Sequence, residues 1–337
     1  QRGRPGGFIG DPDIMDTWAT SSLTPQITSG WLDDDDLFGR VFPMDVRPQG
    51  QDIIRTWLFS TLLRSHLEHD QLPWKHAAIS GWIVDPERKK MSKSKGNVVT
   101  PSELLEQHGA DAVRYWAASA RLGADAAFDP QRPTQMKIGR RLAIKMLNAS
   151  KFALSFAGDS PVRLDPAAVT EPLDRSVLAN LASVVERATS ALEGYDHTRA
   201  LEVSETFFWT FCDDYLELVK ERAYGGGQAP AAAVDSARAT LWIALDVILR
   251  LFAPVLPFAT EEVWSWWREG SVHRAPWPTP EPLRAAAGQD ADVELLDIAG
   301  AALAALRKVK SEAKVTQRTP FGDVDLVSPG AALLEHV

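Results

Sequence analysis

Lys89-Lys90-Met91-Ser92-Lys93-Ser94-Lys95-Gly96-Asn97 gathers four lysines and two hydroxyls into one short run, with Arg88 directly before it. The chain as a whole carries a formal net charge of -9, so this basic run is a local exception. Like charges this close repel one another, and a folded protein carries them best where a polyanion neutralises them. Ammonium groups act as point charges on long stems, Ser92 and Ser94 add hydroxyl donors, and Gly96 frees the backbone to wrap a phosphate. A triphosphate suits such a loop. Composition alone leaves a solvated Lys/Ser loop open as the alternative.

The flanking sequence decides the fold. Pro43 to Gly50 reads as a short strand ending in glycine, and Ile54, Trp57, Leu58, Thr61 and Leu62 follow at helical spacing. His76 to Val84 reads as a second strand and 85–99 as the basic loop. A helix then starts at Thr100-Pro101-Ser102-Glu103, with Thr100 as N-cap, Pro101 at the first helical position and Glu103 completing a capping box. Gly109 is placed to stop that helix. Strand, glycine, helix and strand form a βαβ pattern, and open α/β sheets bind ligands at the carboxyl ends of their strands. The chain has no Gly-x-x-x-x-Gly-Lys-Ser/Thr loop, and no Gly-x-Gly-x-x-Gly follows a strand, which disfavours P-loop and dinucleotide folds.

At 337 residues, 45% apolar and 24% charged, the chain has material for two globular domains. Strand-like alternation ends near Pro133, and helices are expected near 134–157, 173–193, 198–222, 231–252, 258–268 and 292–314. The expected organisation is therefore an α/β Rossmann-like half-domain over 1–132 and an all-α domain over 133–337. The latter reads as a bundle to about 272, then a Pro-rich linker at Pro276 to Pro282 and a terminal helix; Gly225-Gly226-Gly227 reads as a second linker. An isoelectric point near 5.3 confines any nucleic-acid contact to local basic patches.

Cys212 is the sole cysteine, which excludes an intramolecular disulfide and a Cys-rich metal site and fits a reducing, cytoplasmic setting. Asp33-Asp34-Asp35-Asp36 lacks the spaced ligands and glycine of a calcium loop and reads as a solvated loop, so no protein-bound metal is expected. The longest apolar stretch, Ala239 to Phe258, contains Asp246, Arg250, Pro254 and Pro257, which argues against a membrane span. The opening Gln1-Arg2-Gly3-Arg4-Pro5-Gly6-Gly7 resembles no targeting segment, and the expectation is that the chain starts inside a longer protein.

Lys90-Met91-Ser92-Lys93-Ser94 resembles the second signature of the class I aminoacyl-tRNA synthetases. The resemblance implies that Lys93 contacts the ATP phosphates and that Lys90 stabilises charge on the departing pyrophosphate, with Met91, Ser92 and Ser94 completing the ATP-binding loop. Gly50-Gln51-Asp52 is similar to the Gly-x-Asp ribose site of these enzymes, where the carboxylate accepts both sugar hydroxyls and the glycine admits the sugar. On its own, Asp52 reads as a helix cap and dipole partner. Ser80-Gly81-Trp82-Ile83 then corresponds to the strand beside the adenine, with backbone groups of Gly81, Trp82 and Ile83 doing the recognition. A plain strand irregularity explains Gly81 equally well.

By composition Trp18 reads as core packing. Asp16-Thr17-Trp18 followed by Ser21-Ser22 nevertheless resembles the valyl-specific family of the class, which implies that Trp18 walls a pocket for a small branched side chain; the isoleucyl family is the alternative. An editing site is expected elsewhere, because an apolar pocket rejects isosteres only modestly. The implied reaction activates valine with ATP and its Mg2+ to valyl-adenylate and pyrophosphate, then transfers valine to tRNA(Val).

Lys137, Arg141 and Lys145 fall at i, i+4 and i+8, with Arg140 beside them and Lys151 further on. They read either as a tRNA backbone contact or as the cationic face of an ordinary amphipathic helix. Phe211 to Glu217 and Pro254 to Trp264 are similar to landmarks of the anticodon-binding domain in the valyl, isoleucyl and leucyl group.

Some family features are absent from these residues. None of the seven histidines makes the first class signature, His-x-Gly-His, and neither an editing domain nor a C-terminal coiled-coil arm is present. The missing N-terminal half of the same enzyme is therefore an expected partner, and the chain alone is expected not to aminoacylate. Gln51 stands where an aromatic is common, Ala19 follows Trp18 in place of a frequent aromatic, and Lys95 replaces a frequent apolar residue. Two other classes compete: a non-catalytic tRNA-binding paralogue, and a nucleotidyltransferase, which would have no use for the long helical region.

Overall fold

The computed structural model describes residues 2–14, 16–92, 94, 96–98, 100–158, 161–226, 229–325 and 327. The chain forms two compact units, one of residues 1–98 with 121–129 and the other of 99–120 with 130–337.

The first unit opens with three short helices, α1 (Thr17–Ser21), α2 (Thr24–Thr28) and α3 (Asp35–Val41). Asp34 caps α3 by accepting from the Leu37 N–H at 3.0 Å, and Asp35 and Asp36 sit in the first turn, where the helix dipole favours negative charge. The acidic run is thus a helix start rather than the solvated loop expected. Among the described residues, no group of three His, Cys, Asp or Glu side chains could hold a metal ion.

Strand β1 (Met44–Gly50) pairs in parallel with β2 (Trp74–Ser80), in a register running from Met44 opposite Trp74 to Gly50 opposite Ser80. The crossover between them is a 3-10 turn (Gln51–Ile53), a π-helical turn (Ile54–Leu58) and α4 (Phe59–His69), which completes the expected βαβ unit. Trp57, only 3% exposed, stacks on Trp74 with ring centroids 5.7 Å apart beneath this crossover. The second strand does not run unbroken to Val84. It stops at Ser80 and resumes as β3 (Ile83–Val84), which pairs in parallel with β4 (Ala126–Ala127). A Cβ at Gly81 would lie 2.2 Å from the Ala124 carbonyl oxygen, so the passing 124–125 backbone demands glycine there.

The second unit contains α5 (Pro101–His108), α6 (Ala110–Ala118), α7 (Thr134–Leu154), α8 (Pro172–Glu193), α9 (His197–Thr210), α10 (Leu216–Ala223), α11 (Ala231–Phe252), α12 (Pro257–Ser265), α13 (Pro280–Ala287) and α14 (Leu295–Glu312). Thr100 is the N-cap of α5, but its side chain makes no capping hydrogen bond, so the expected capping box is not formed. Pro101 stands at the helix start as expected. Gly109, at φ 84°, ends α5 as expected.

The helix expected over 198–222 is interrupted by a π-helical turn at Phe211–Tyr215, which rotates α10 relative to α9 and buries Phe211, Cys212 and Tyr215 together. The stretch Pro276 to Pro282, expected as a linker, is built into the bundle instead. Pro280 starts α13, whose Leu283, Ala286 and Ala287 are buried in the same core as α8, and the Trp277 indole donates to Thr189 Oγ1 at 2.8 Å. The core joins Leu142 and Met146 of α7, Leu178 and Leu181 of α8, Phe208 of α9 and Leu241 and Ile248 of α11.

A polar knot ties this core. Asp174 is fully buried and accepts from Tyr215 Oη at 2.8 Å, from Arg222 at 2.8 and 2.7 Å, and from Ser236 Oγ at 2.6 Å. Burial works against the Arg222 charge, but the bonds to Asp174 outweigh it and hold the guanidinium pKa above its ordinary value. Ser236 Oγ in turn accepts from the N–H groups of Thr170 and Glu171 at the entry to α8. Among the described residues no helix is long and apolar enough to cross a membrane.

Candidate active site

Three of the expected residues meet at the carboxyl end of the β1–β2 pair. Asp52 lies in the 3-10 turn immediately after Gly50, and its Oδ2 accepts from Lys90 Nζ at 3.1 Å. Lys90 Nζ also stands 4.7 Å from the centroid of the Trp82 ring. A Cβ at Gly50 would come 2.8 Å from Asp52 Oδ1, so glycine gives the carboxylate room to fold back over the strand end. Both partners of the Asp52–Lys90 pair are nearly half exposed, at 44% and 45%, so water still reaches the site.

Trp82 presents its ring rather than its backbone. Its N–H donates to Asp125 Oδ1 at 2.8 Å and its carbonyl accepts from the Ala126 N–H at 2.8 Å, so both main-chain groups are already bonded. Ile83 is half exposed and belongs to β3. Gln51 also reaches toward Asp125 Oδ1, at 3.5 Å, which gives a use to the residue standing where an aromatic is common. Asp125 was not expected from sequence, because nothing local marks a side chain that acts 43 residues from its partner.

The basic loop is held at its ends. Lys90 bridges back to Val84, the side chain of Lys89 pairs with Glu87 at 2.5 Å, and Ser92 Oγ lies 3.1 Å from Ser94 Oγ. Met91 follows Lys90 and is partly buried. Lys93, expected on the ATP phosphates, lies outside the described residues, as does Lys95. Among the described loop residues, the side chains of Asp85 and Asn97 take part in five hydrogen bonds. A signal for them existed in the turn-forming pairs Asp85-Pro86 and Gly96-Asn97.

Trp18 sits in α1, with its N–H donating to Asp16 Oδ1 at 2.9 Å and its side chain left 38% exposed, unlike a core tryptophan. The α1 segment is fastened to the crossover after Asp52. The Trp57 indole donates to the Ser21 carbonyl at 2.7 Å, and Arg64 donates to the Ala19 carbonyl and to Ser22 Oγ.

In the helical unit, the four cations proposed for tRNA differ in what they already touch. Lys145 pairs with Asp213 at 2.8 Å, the Arg141 guanidinium lies 5.1 Å over the Trp209 ring, and Arg140 donates to the Gln107 carbonyl at 2.8 Å. Lys137 is exposed near the start of α7. Lys151 lies 5.9 Å over the Trp266 ring.

Comparison with known proteins gives two family matches. Residues 4–129 match the family model described as tRNA synthetases class I (I, L, M and V), and residues 174–326 match the anticodon-binding domain of tRNA ligase. A valine–tRNA ligase of Thermobifida fusca is 69% identical over 318 residues, covering 94% of this chain and 35% of its own length. A valine–tRNA ligase of Leifsonia xyli subsp. xyli is 63% identical over 333 residues, covering 99% of this chain and 38% of its own length. The chain thus spans little more than a third of these curated relatives. Among solved structures, a LeuRS of Agrobacterium radiobacter in a ternary complex with tRNA and LeuAMS superposes with a TM-score of 0.66 at 23% identity, covering 82% of this chain and 34% of that one. That likeness concerns the fold.

Proposed function

The chain belongs to the class I tRNA synthetases, and from that premise we propose that it supplies part of the ATP site and the helical tRNA-binding region of a valine–tRNA ligase. The observation that carries this reading is the convergence of Asp52, Lys90 and Trp82 at one strand edge. An exposed ion pair such as Asp52–Lys90 contributes only about 0.2–1 kcal/mol, so an arriving nucleotide can replace it. The ribose hydroxyls take over Asp52, and Lys90 swings to the phosphates.

In the activation step the valine carboxylate attacks the α-phosphorus and pyrophosphate leaves, so negative charge grows on the leaving group. Lys90 and Lys93 are the cations on hand for it, and ATP brings its own Mg2+. Positioning and charge stabilisation supply the catalysis, and no covalent nucleophile is required. Cys212 is unsuited to that role in any case, since burial pushes its thiol up to about 12. Trp18, exposed on α1, is the proposed wall of the valine pocket. We place the protein in the cytoplasm, in keeping with its single, buried cysteine.

The α4 surface supports a catalytic domain larger than these residues. Phe59, Leu63 and Leu67 form an i, i+4, i+8 stripe that is 59%, 45% and 75% exposed, an apolar face of the kind that further protein covers. The proposal is tested by amino-acid-dependent exchange of pyrophosphate into ATP by the full-length protein that carries this chain. Valine is expected to drive exchange in preference to isoleucine, and a preference for isoleucine would overturn the assignment.

The tRNA-facing part of the proposal ranks the α7 cations. Lys137→Ala is expected to reduce the slope of log K against log salt by about one in tRNA(Val) binding. Lys145→Ala should leave the slope nearly unchanged, because Asp213 already compensates that charge. Fluorescence anisotropy of labelled tRNA across a salt series reads both, and equal losses at the two positions would contradict the ranking.

A further inference from the structure

The loop that carries Lys90 is closed by a side-chain brace. Asp85 Oδ1 accepts from the N–H groups of Glu87 at 3.1 Å and Lys89 at 2.8 Å, which shapes the turn in which Arg88 adopts a left-handed φ of 60°. Its other oxygen, Oδ2, accepts from Asn97 Nδ2 at 2.9 Å. The same amide reaches the Lys90 carbonyl at 3.4 Å, and its oxygen, Asn97 Oδ1, accepts from the Ser92 N–H at 2.9 Å. One amide therefore grips the backbone on both sides of Met91 and ties it to the turn that precedes Lys89.

We propose that Asp85 and Asn97 are positioning residues that hold the Lys90 backbone so that its ammonium reaches the Asp52 end of the ATP site. This rests on the reading of Asp52 and Lys90 as nucleotide-binding. Asn97 is the only side chain among the described loop residues that bonds the backbone of Lys90 and of Ser92 at once. The hydrogen bond from Asn97, followed by that from the Lys89 N–H, holds the Asp85 carboxyl below its ordinary range, in keeping with a carboxylate that works as an acceptor here. The geometry has a specific polarity, carboxylate at 85 and amide at 97, and it can be inverted. With Asp85→Asn and Asn97→Asp together, the introduced amide donates to the introduced carboxylate. The amide oxygen still accepts from Glu87 and Lys89, and the carboxylate still accepts from Ser92, but the Lys90 carbonyl loses its donor at 97.

Either change alone spoils the pair, since Asn97→Asp sets two carboxylates face to face and Asp85→Asn leaves two amides without a matched acceptor. In the full-length enzyme, each single variant is expected to lower kcat for valine-dependent pyrophosphate exchange on the order of 10- to 100-fold. The KM for valine should stay unchanged, and melting temperatures should stay with the parent's, because the loop is exposed. The exchanged pair, Asp85→Asn with Asn97→Asp, is expected to recover part of the loss, because the 85–97 contact and the hold on Ser92 return while the bond to the Lys90 carbonyl does not. Full activity in both single variants, or an exchanged pair no better than the worse single variant, would overturn the brace. Lys90→Ala is measured beside them. If it lowers exchange while Asn97→Asp does not, the brace alone fails; if Lys90→Ala leaves exchange intact, the ATP-site reading itself fails and the brace with it.

Discussion

Asp174→Ala is expected to destabilise the helical unit by about 3–5 kcal/mol. The carboxylate receives four hydrogen bonds from three side chains on different elements, and it is fully buried. Removing it strands the Arg222 guanidinium, whose side chain is only 19% exposed, and leaves the hydroxyls of Tyr215 and Ser236 without an acceptor. An uncompensated buried charge costs far more than the net worth of the intact pair, which is why the truncation is severe. Asp174→Asn keeps the shape and part of the hydrogen bonding and should fall between the two. Urea melts of the purified chain followed by far-UV circular dichroism read the difference. A loss below about 1 kcal/mol for Asp174→Ala would show that the knot does not secure the bundle.

Individual elements were legible wherever the signal was local. The strand–glycine–helix–strand order around Gly50 survived because alternation, helical spacing and a strand-ending glycine all point the same way. Helices α7, α8 and α11 lie where their apolar periods place them. The elements that were not legible depend on contacts distant in sequence. The break after Ser80 is imposed by the 124–125 backbone pressing on Gly81. The π-helical turn at Phe211–Tyr215 coincides with Tyr215 reaching Asp174, 41 residues away. Pro276 to Pro282 looked like a linker because prolines mark turns, yet Pro280 serves as a helix start whose following residues are buried.

The site shows the same division. Gly50, Asp52 and Lys90 were readable as types at recognisable spacing, and the fold brings Asp52 and Lys90 together. Asp125 had no local signal, because a hydrogen-bond acceptor for a backbone N–H needs no particular sequence neighbours; Asp85 and Asn97 carried turn signals, but those do not say that the two side chains bond each other across the loop. For the α7 cations, spacing alone could not separate Lys137 from Lys145, since the pairing with Asp213 arises only when α7 packs beside the π-helical turn.

Lys90→Ala has the largest expected effect on catalysis. A cation aimed at charge that develops in the transition state acts where water is being excluded, and losing one such group typically costs about 100- to 1000-fold. The loss should fall on kcat more than on the KM for valine, because the amino acid is held elsewhere. Asp52→Ala should act differently, raising the KM for ATP by removing the ribose acceptor. The two changes are expected to be non-additive, since each residue is the other's partner in the resting protein.

The role of Lys90 at the ATP site is decided by valine-dependent pyrophosphate exchange in the full-length enzyme with and without Lys90→Ala. The substitution is expected to lower kcat about 100-fold or more in a folded protein, with an unchanged KM for valine. Exchange at the parent's rate would contradict that role.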